Sequence, residues 1–73
     1  MSGETARRLD IILNGGAATT AAATLAGLLD EQGYTGLKVA TAVNGDFVPE
    51  RARAATALQP GDHIEVVSAR QGG

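Results

Sequence analysis

The sequence predicts an α+β domain in which one main helix packs on one face of a mixed sheet of four to five strands. Three observations carry that expectation. Two Asn-Gly pairs, Asn14-Gly15 and Asn44-Gly45, each follow a β-compatible run, and Asn-Gly supplies the positive φ angles that a tight hairpin requires. Between them Leu25, Leu28 and Leu29 recur at helical spacing. After the turn signal Pro60-Gly61-Asp62, Ile64 and Val66 alternate with His63, Glu65 and Val67 as a final strand.

Taken in order, residues 1–6 are polar and without apolar period, and are expected to form a disordered leader. Leu9, Ile11 and Leu13 alternate with Asp10 and Ile12, which places the first three toward a core and Ile12 on the opposite face. Two readings are open for the run from Ala17 to Ala23, which is either the return strand of a hairpin or an extension of the next helix, since alanine favours helix over strand. Thr24 is a candidate N-cap for that helix, with Thr20 as the alternative, and Gly33 fits the left-handed position that closes it. Gly27 inside the helix costs about 1 kcal/mol relative to alanine, which suggests close packing at that point.

Lys38 to Val43 reads as a strand with Val39, Thr41 and Val43 on one side and Ala40 and Ala42 on the other. Asp46-Phe47-Val48 is a short return strand ended by Pro49, which removes a ladder donor. Glu50 to Ala57 is either a short helical turn or an ordered loop. A hairpin, a crossover helix and strands returning beside the first describe a β-grasp over residues 7–68. Its outer sheet face carries Ile12, Ala40, Ala42 and Val67 beside Asp10, Glu65 and Lys38.

Seventy-three residues make one domain, near the lower size at which burial alone offsets chain entropy. Cysteine is absent, which excludes disulfides, thiolate metal sites and sulfur carried on a cysteine of this chain. Net charge is −2, with six basic residues scattered among eight acids, so no phosphate-binding surface and no nucleic-acid partner are expected. The N-terminal residues lack an apolar signal core and no stretch approaches the length of a membrane span. Cytoplasmic residence without membrane attachment is the expectation.

Side-chain catalysis finds little support. His63 is the single histidine, and no Ser/His/acid set can be assembled without using the turn residues of the fold. Asp62 beside His63 reads as a turn aspartate next to a solvent-facing strand residue. One histidine with dispersed carboxylates does not make a closed metal site.

The C-terminal residues 69–73 are expected to form a flexible tail ending in Gly72-Gly73. Two terminal glycines arise by chance roughly once in 50 chains of this composition, so their weight comes from the domain that presents them. A terminal carboxylate, with a pKa near 3.5, is ionised at neutral pH and resists nucleophiles until it is activated. Adenylation by ATP on a partner enzyme is a standard route. Glycine suits such a tail because it threads a narrow channel and leaves its carbonyl open on both faces. Five extended residues reach about 16 Å at roughly 3.3 Å each.

The stretch Val43-Asn-Gly-Asp-Phe-Val-Pro-Glu-Arg51, the stretch Leu58-Gln-Pro-Gly-Asp-His-Ile-Glu-Val-Val67 and the end Gln71-Gly-Gly73 resemble the ThiS family, ubiquitin-like β-grasp sulfur carriers of thiamin biosynthesis. Thr24-Leu25-Ala26-Gly27-Leu28-Leu29 also fits that family's capped, leucine-paired helix. The resemblance spans Leu9 to Gly73. Departures are the added N-terminal residues, Gln32 at a helix position the family commonly fills with an apolar residue, and Glu50 between Pro49 and Arg51.

The resemblance implies that the chain is a carrier rather than an enzyme. A ThiF-like enzyme would adenylate the Gly73 carboxylate with ATP, and no cofactor would be bound by the chain itself. Sulfur drawn from cysteine by a desulfurase would convert the carboxylate to a thiocarboxylate, which would pass sulfur to a ThiG-like thiazole synthase. Gly72, Gln71 and Arg70 would enter the partner with Gly73, and Ile12, Ala42 and Val67 are the expected docking face. Two readings share this tail chemistry: a MoaD-like carrier for molybdopterin synthesis, and a ubiquitin-like modifier that joins Gly73 to lysines. In a third, the glycines are inert.

Overall fold

The computed structural model describes residues 8–68; the leader assigned to 1–6 and the tail assigned to 69–73 lie outside them. Strands β1 (Leu9–Leu13), β2 (Gly16–Thr20), β3 (Val39–Val43), β4 (Asp46–Val48) and β5 (His63–Ser68) form a single sheet in the order β2-β1-β5-β3-β4. β1 and β5 run parallel, and the other neighbours are antiparallel. Helix α1 (Leu25–Glu31) covers one face, and a 3-10 helix follows β4 over Glu50–Ala55. This is the expected β-grasp, with the upper strand count realised.

Both Asn-Gly turns take the predicted conformation. Asn14 and Gly15 have φ of 50° and 83°, and Asn44 and Gly45 have 52° and 86°. Positive φ at both central residues is the twist that matches antiparallel strands across a two-residue loop. β2 ends at Thr20 rather than continuing through Ala23. The reason lies in side chains: Thr20 Oγ1 donates to Glu31 Oε1 and accepts from the Ala22 amide, while the Ala21 amide donates to Glu31 Oε2. These bonds replace ladder partners once β1 has run out at Leu9.

Thr24 is the N-cap. Its backbone is extended and its hydroxyl accepts from the Gly27 amide at 3.1 Å. At the other end Gly33 sits at φ 85°, its amide donates to Asp30 O, and the Tyr34 amide donates to Leu29 O. That pair of bonds is a Schellman closure. A Cβ on Gly27 would lie 3.2 Å from the Ala22 Cβ, so this glycine does mark a close approach of the β2–α1 connection to the helix.

The core lies between α1 and the inner sheet face. Ile11, Leu25, Leu28, Leu29, Val48, Leu58, Ile64 and Val66 are buried there, the alternation of each strand supplying its inward residues. Leu58 comes from outside any helix or strand. It is held by its own amide donating to Ala23 O and by the bridge between Thr24 and Ala57. Thr41 faces inward, as its place in β3 predicts, and is 2% exposed. Its hydroxyl donates to Val48 O at 2.8 Å and accepts from Arg53 Nε at 3.1 Å. Among the described residues no helix is long and apolar enough to cross a membrane.

Candidate functional site

The tail residues Arg70, Gln71, Gly72 and Gly73 lie outside the described residues, and the structure defines the strand from which they continue. β5 is the central strand of the sheet, hydrogen-bonded to β1 on one side and β3 on the other. Its first half is held by both neighbours, through Ile12↔His63 and Leu13↔Ile64 on β1 and Val43↔Ile64 on β3. Its last pair, Val39↔Ser68, lies with β3. The strand is thus fixed along its length up to Ser68.

Two asparagines complete the ladder around β5. The chain turns away from the sheet at Asn14, whose amide still donates to Ile64 O, and there the Asn14 side-chain oxygen accepts from the Val66 amide at 2.8 Å. On the opposite flank Asn44 Oδ1 accepts from the His63 amide, and Asn44 Nδ2 donates to Asp62 Oδ1 at 3.0 Å. Asp62 is only 8% exposed, and its Oδ2 accepts from the Gln59 amide. Its carboxylate is therefore committed to the turn and to Asn44, while His63 faces solvent on the neighbouring position. Asp62 acts as a turn residue, as its place after Pro60-Gly61 suggests.

The outer sheet face divides in two. Val67 pairs with Ala40, Glu65 with Ala42, and Ala42 in turn with Phe47. Val67 and Phe47 are 62% and 69% exposed, and Leu37 before β3 is 57% exposed. These three line one open groove of about 830 Å³ together with Ala40, Arg53 and Ser68, the last described residue before the tail. Ile12 lies elsewhere, in a separate hollow of about 320 Å³ with Asp10, Ala17 and Thr19. His63 is its β5 partner, so the polar His63–Glu65 row of β5 stands between Ile12 and Ala42. Of the three residues assigned to a docking face, Val67 lines the larger groove, Ala42 lies outside it across from Glu65, and Ile12 lines the separate hollow.

Phe47 is the residue that sequence reasoning left out. The signal for it was present, because Val48 faces the core and alternation turns Phe47 outward. Arg53 supports the same edge from within: besides its bond to Thr41, its guanidinium donates to Val39 O at 2.8 Å. It thereby ties the 3-10 helix to β3, whose Thr41 hydroxyl in turn donates to Val48 O of β4.

Glu31 is the described carboxylate with a displaced titration. The hydrogen bond from Thr20 is the main cause holding its pKa below the usual value; burial opposes this, and the Ala21 amide and the Arg8 charge add to it. It serves the β2–α1 junction through Thr20 and Ala21. Among the described residues no three His, Cys, Asp or Glu side chains gather as a metal site.

The ThiS family matches residues 11–73. Among solved structures, the crystal structure of the thiamine biosynthesis protein (ThiS) from Geobacter metallireducens is similar at 25% sequence identity, with a TM-score of 0.72 over 89% of this chain and 100% of that one. No curated protein matches the chain at a significant level.

Proposed function

This chain belongs to the ThiS family, and from that premise we propose that it is a sulfur carrier of thiamin biosynthesis whose working group is the carboxylate of Gly73. The observation that carries the proposal is that the family match runs through the tail to residue 73, in a chain with no cysteine to hold sulfur elsewhere.

The steps follow from the chemistry of a carboxylate. An ionised carboxylate repels a sulfur nucleophile. A ThiF-like partner joins it to the α-phosphate of ATP, releasing pyrophosphate and leaving an acyl adenylate. Persulfide sulfur mobilised from cysteine by a desulfurase then displaces AMP to give an acyl disulfide, and a thiol reductant cleaves its S–S bond, itself becoming oxidised to a disulfide and leaving a thiocarboxylate on Gly73. That group gives its sulfur to a ThiG-like thiazole synthase, and the carboxylate is regenerated. Throughout, this chain is carrier and substrate, and its partners hold the ATP and the catalytic groups.

The geometry supports this division of labour. Five residues after Ser68 reach about 16 Å, enough to enter a buried pocket while the domain docks outside it. Gly72 allows that entry without a side chain, with Gln71 and Arg70 following. The docking face centres on Val67, one residue before Ser68, with Ala42 on the same sheet face across from Glu65. Phe47 extends this face, and Ile12 lies beyond the polar row of β5.

The test is incubation with a cognate adenylating enzyme, ATP and a sulfur source, followed by intact-mass spectrometry. The expected product has one oxygen replaced by sulfur, and deletion of Gly73 abolishes it while the thermal melt is unchanged. High-mass lysine adducts in place of the exchange, or full exchange in the truncated chain, would overturn the proposal.

A further inference from the structure

We propose that Asn14 is a site of spontaneous deamidation that the folded domain permits, and tolerates in its aspartate product, whereas Asn44, in the same sequence context, is held against the reaction. Both residues precede glycine, the follower that leaves the next backbone nitrogen least hindered. In the reaction the deprotonated Gly15 nitrogen attacks Cγ of Asn14. The Cγ–Nδ2 bond breaks and ammonia departs with a proton. Water then opens the resulting succinimide at either carbonyl, giving aspartate or isoaspartate at position 14.

The two turns share their backbone form, with φ of 50° and 83° at the first and 52° and 86° at the second. They also share a backbone amide donating to the side-chain oxygen, from Val66 at Asn14 and from His63 at Asn44. Such a donor stabilises the negative charge that develops on Oδ1 during attack. The difference is at nitrogen. Asn44 Nδ2, the leaving group, donates to the buried carboxylate of Asp62 at 3.0 Å. Rotation of that carboxamide toward Gly45 must break a charge-assisted bond that Asn14 lacks among the described residues, a barrier worth roughly a ten- to hundredfold slowing.

The products differ as well. A carboxylate at position 14 still accepts from the Val66 amide, and more strongly. A carboxylate at position 44, itself exposed, faces the buried carboxylate of Asp62 where an N–H···O bond had been, and two like charges at that distance repel. Deamidation at Asn14 therefore adds a negative charge beside β5 without removing its tie to β1. Only the isoaspartate fraction, with its longer backbone, loosens β5 two residues before Ser68.

The experiment is prolonged incubation of the folded protein in mildly alkaline buffer, with peptide mapping that separates the amide, aspartate and isoaspartate forms at each site. Position 14 is expected to convert at least about tenfold faster than position 44, and the two rates are expected to converge in denaturant, where only the Asn-Gly sequence remains. Equal rates in the folded protein, conversion at 44 first, or no conversion at 14 while the denatured chain converts would overturn the proposal. A second measurement compares Asn14→Asp with Asn44→Asp by thermal melting. The first should stay close to the parent and the second should fall well below it; equal losses would overturn the tolerance assigned to position 14.

Discussion

Replacing Phe47 by alanine is expected to weaken docking on the adenylating partner by about 2–3 kcal/mol, the magnitude of an interface hot spot. Phe47 is 69% exposed on β4. A phenylalanine side chain presents about 150–250 Å², so roughly 140 Å² is open to a partner. At about 25 cal/mol per Å² its complete burial contributes no more than about 3.5 kcal/mol. Incomplete contact lowers that to about 2–3 kcal/mol, roughly 30- to 150-fold in Kd. The fold should lose little, since an exposed strand position spans about 1 kcal/mol across all residue types. Titration calorimetry of each variant against the adenylating enzyme, with thermal melts alongside, separates the two effects. Val67→Asp, which places a charge in the same groove, should weaken docking further. Unchanged Kd for both variants, with intact melts, would refute the assignment of this face to the partner and leave its exposed residues as ordinary surface.

Thr41→Val is expected to destabilise the domain by about 1–3 kcal/mol in chemical denaturation, because an isosteric methyl leaves Arg53 Nε and Val48 O without their buried partner. An unchanged midpoint would mean that the Thr41 bonds to Val48 and Arg53 do not stabilise the fold. Glu31→Gln should cost stability at neutral pH and nothing in acid. The folded carboxyl titrates below its unfolded value, so its contribution is complete above the unfolded pKa and disappears as pH falls through the folded one. Unfolding curves for the parent and variant should therefore converge with acidification, and a constant gap across that range would exclude the Thr20 and Ala21 bonds to Glu31 as its source.

Much of the fold was legible in the sequence because the deciding interactions are local. Asn-Gly at positions 14–15 and 44–45 forms its turns from residues in contact along the chain. Thr24 caps through a bond three residues away, and Gly33 closes the helix over a similar distance. The inward faces of β1, β3 and β5 followed from alternation alone. The end of β2 was not legible in the same way, since the bonds that stop it at Thr20 come from Glu31, eleven residues further on. The use of Leu58 as a core residue likewise depends on Ala23 and the Thr24–Ala57 bridge.

The candidate site divides along the same line. The sequence by itself determined the chemical handle, a Gly72-Gly73 end on a chain without cysteine, and a final strand to present it, because composition and alternation require no partner to be read. Only the tertiary structure decided that β5 lies at the centre of the sheet, that Phe47 joins Val67 beside its end, and that Ile12 faces a different hollow. Those are matters of strand order and register. Residues far apart in sequence become neighbours through hydrogen bonds across the sheet, and a one-dimensional pattern fixes which face a side chain takes without fixing what stands next to it.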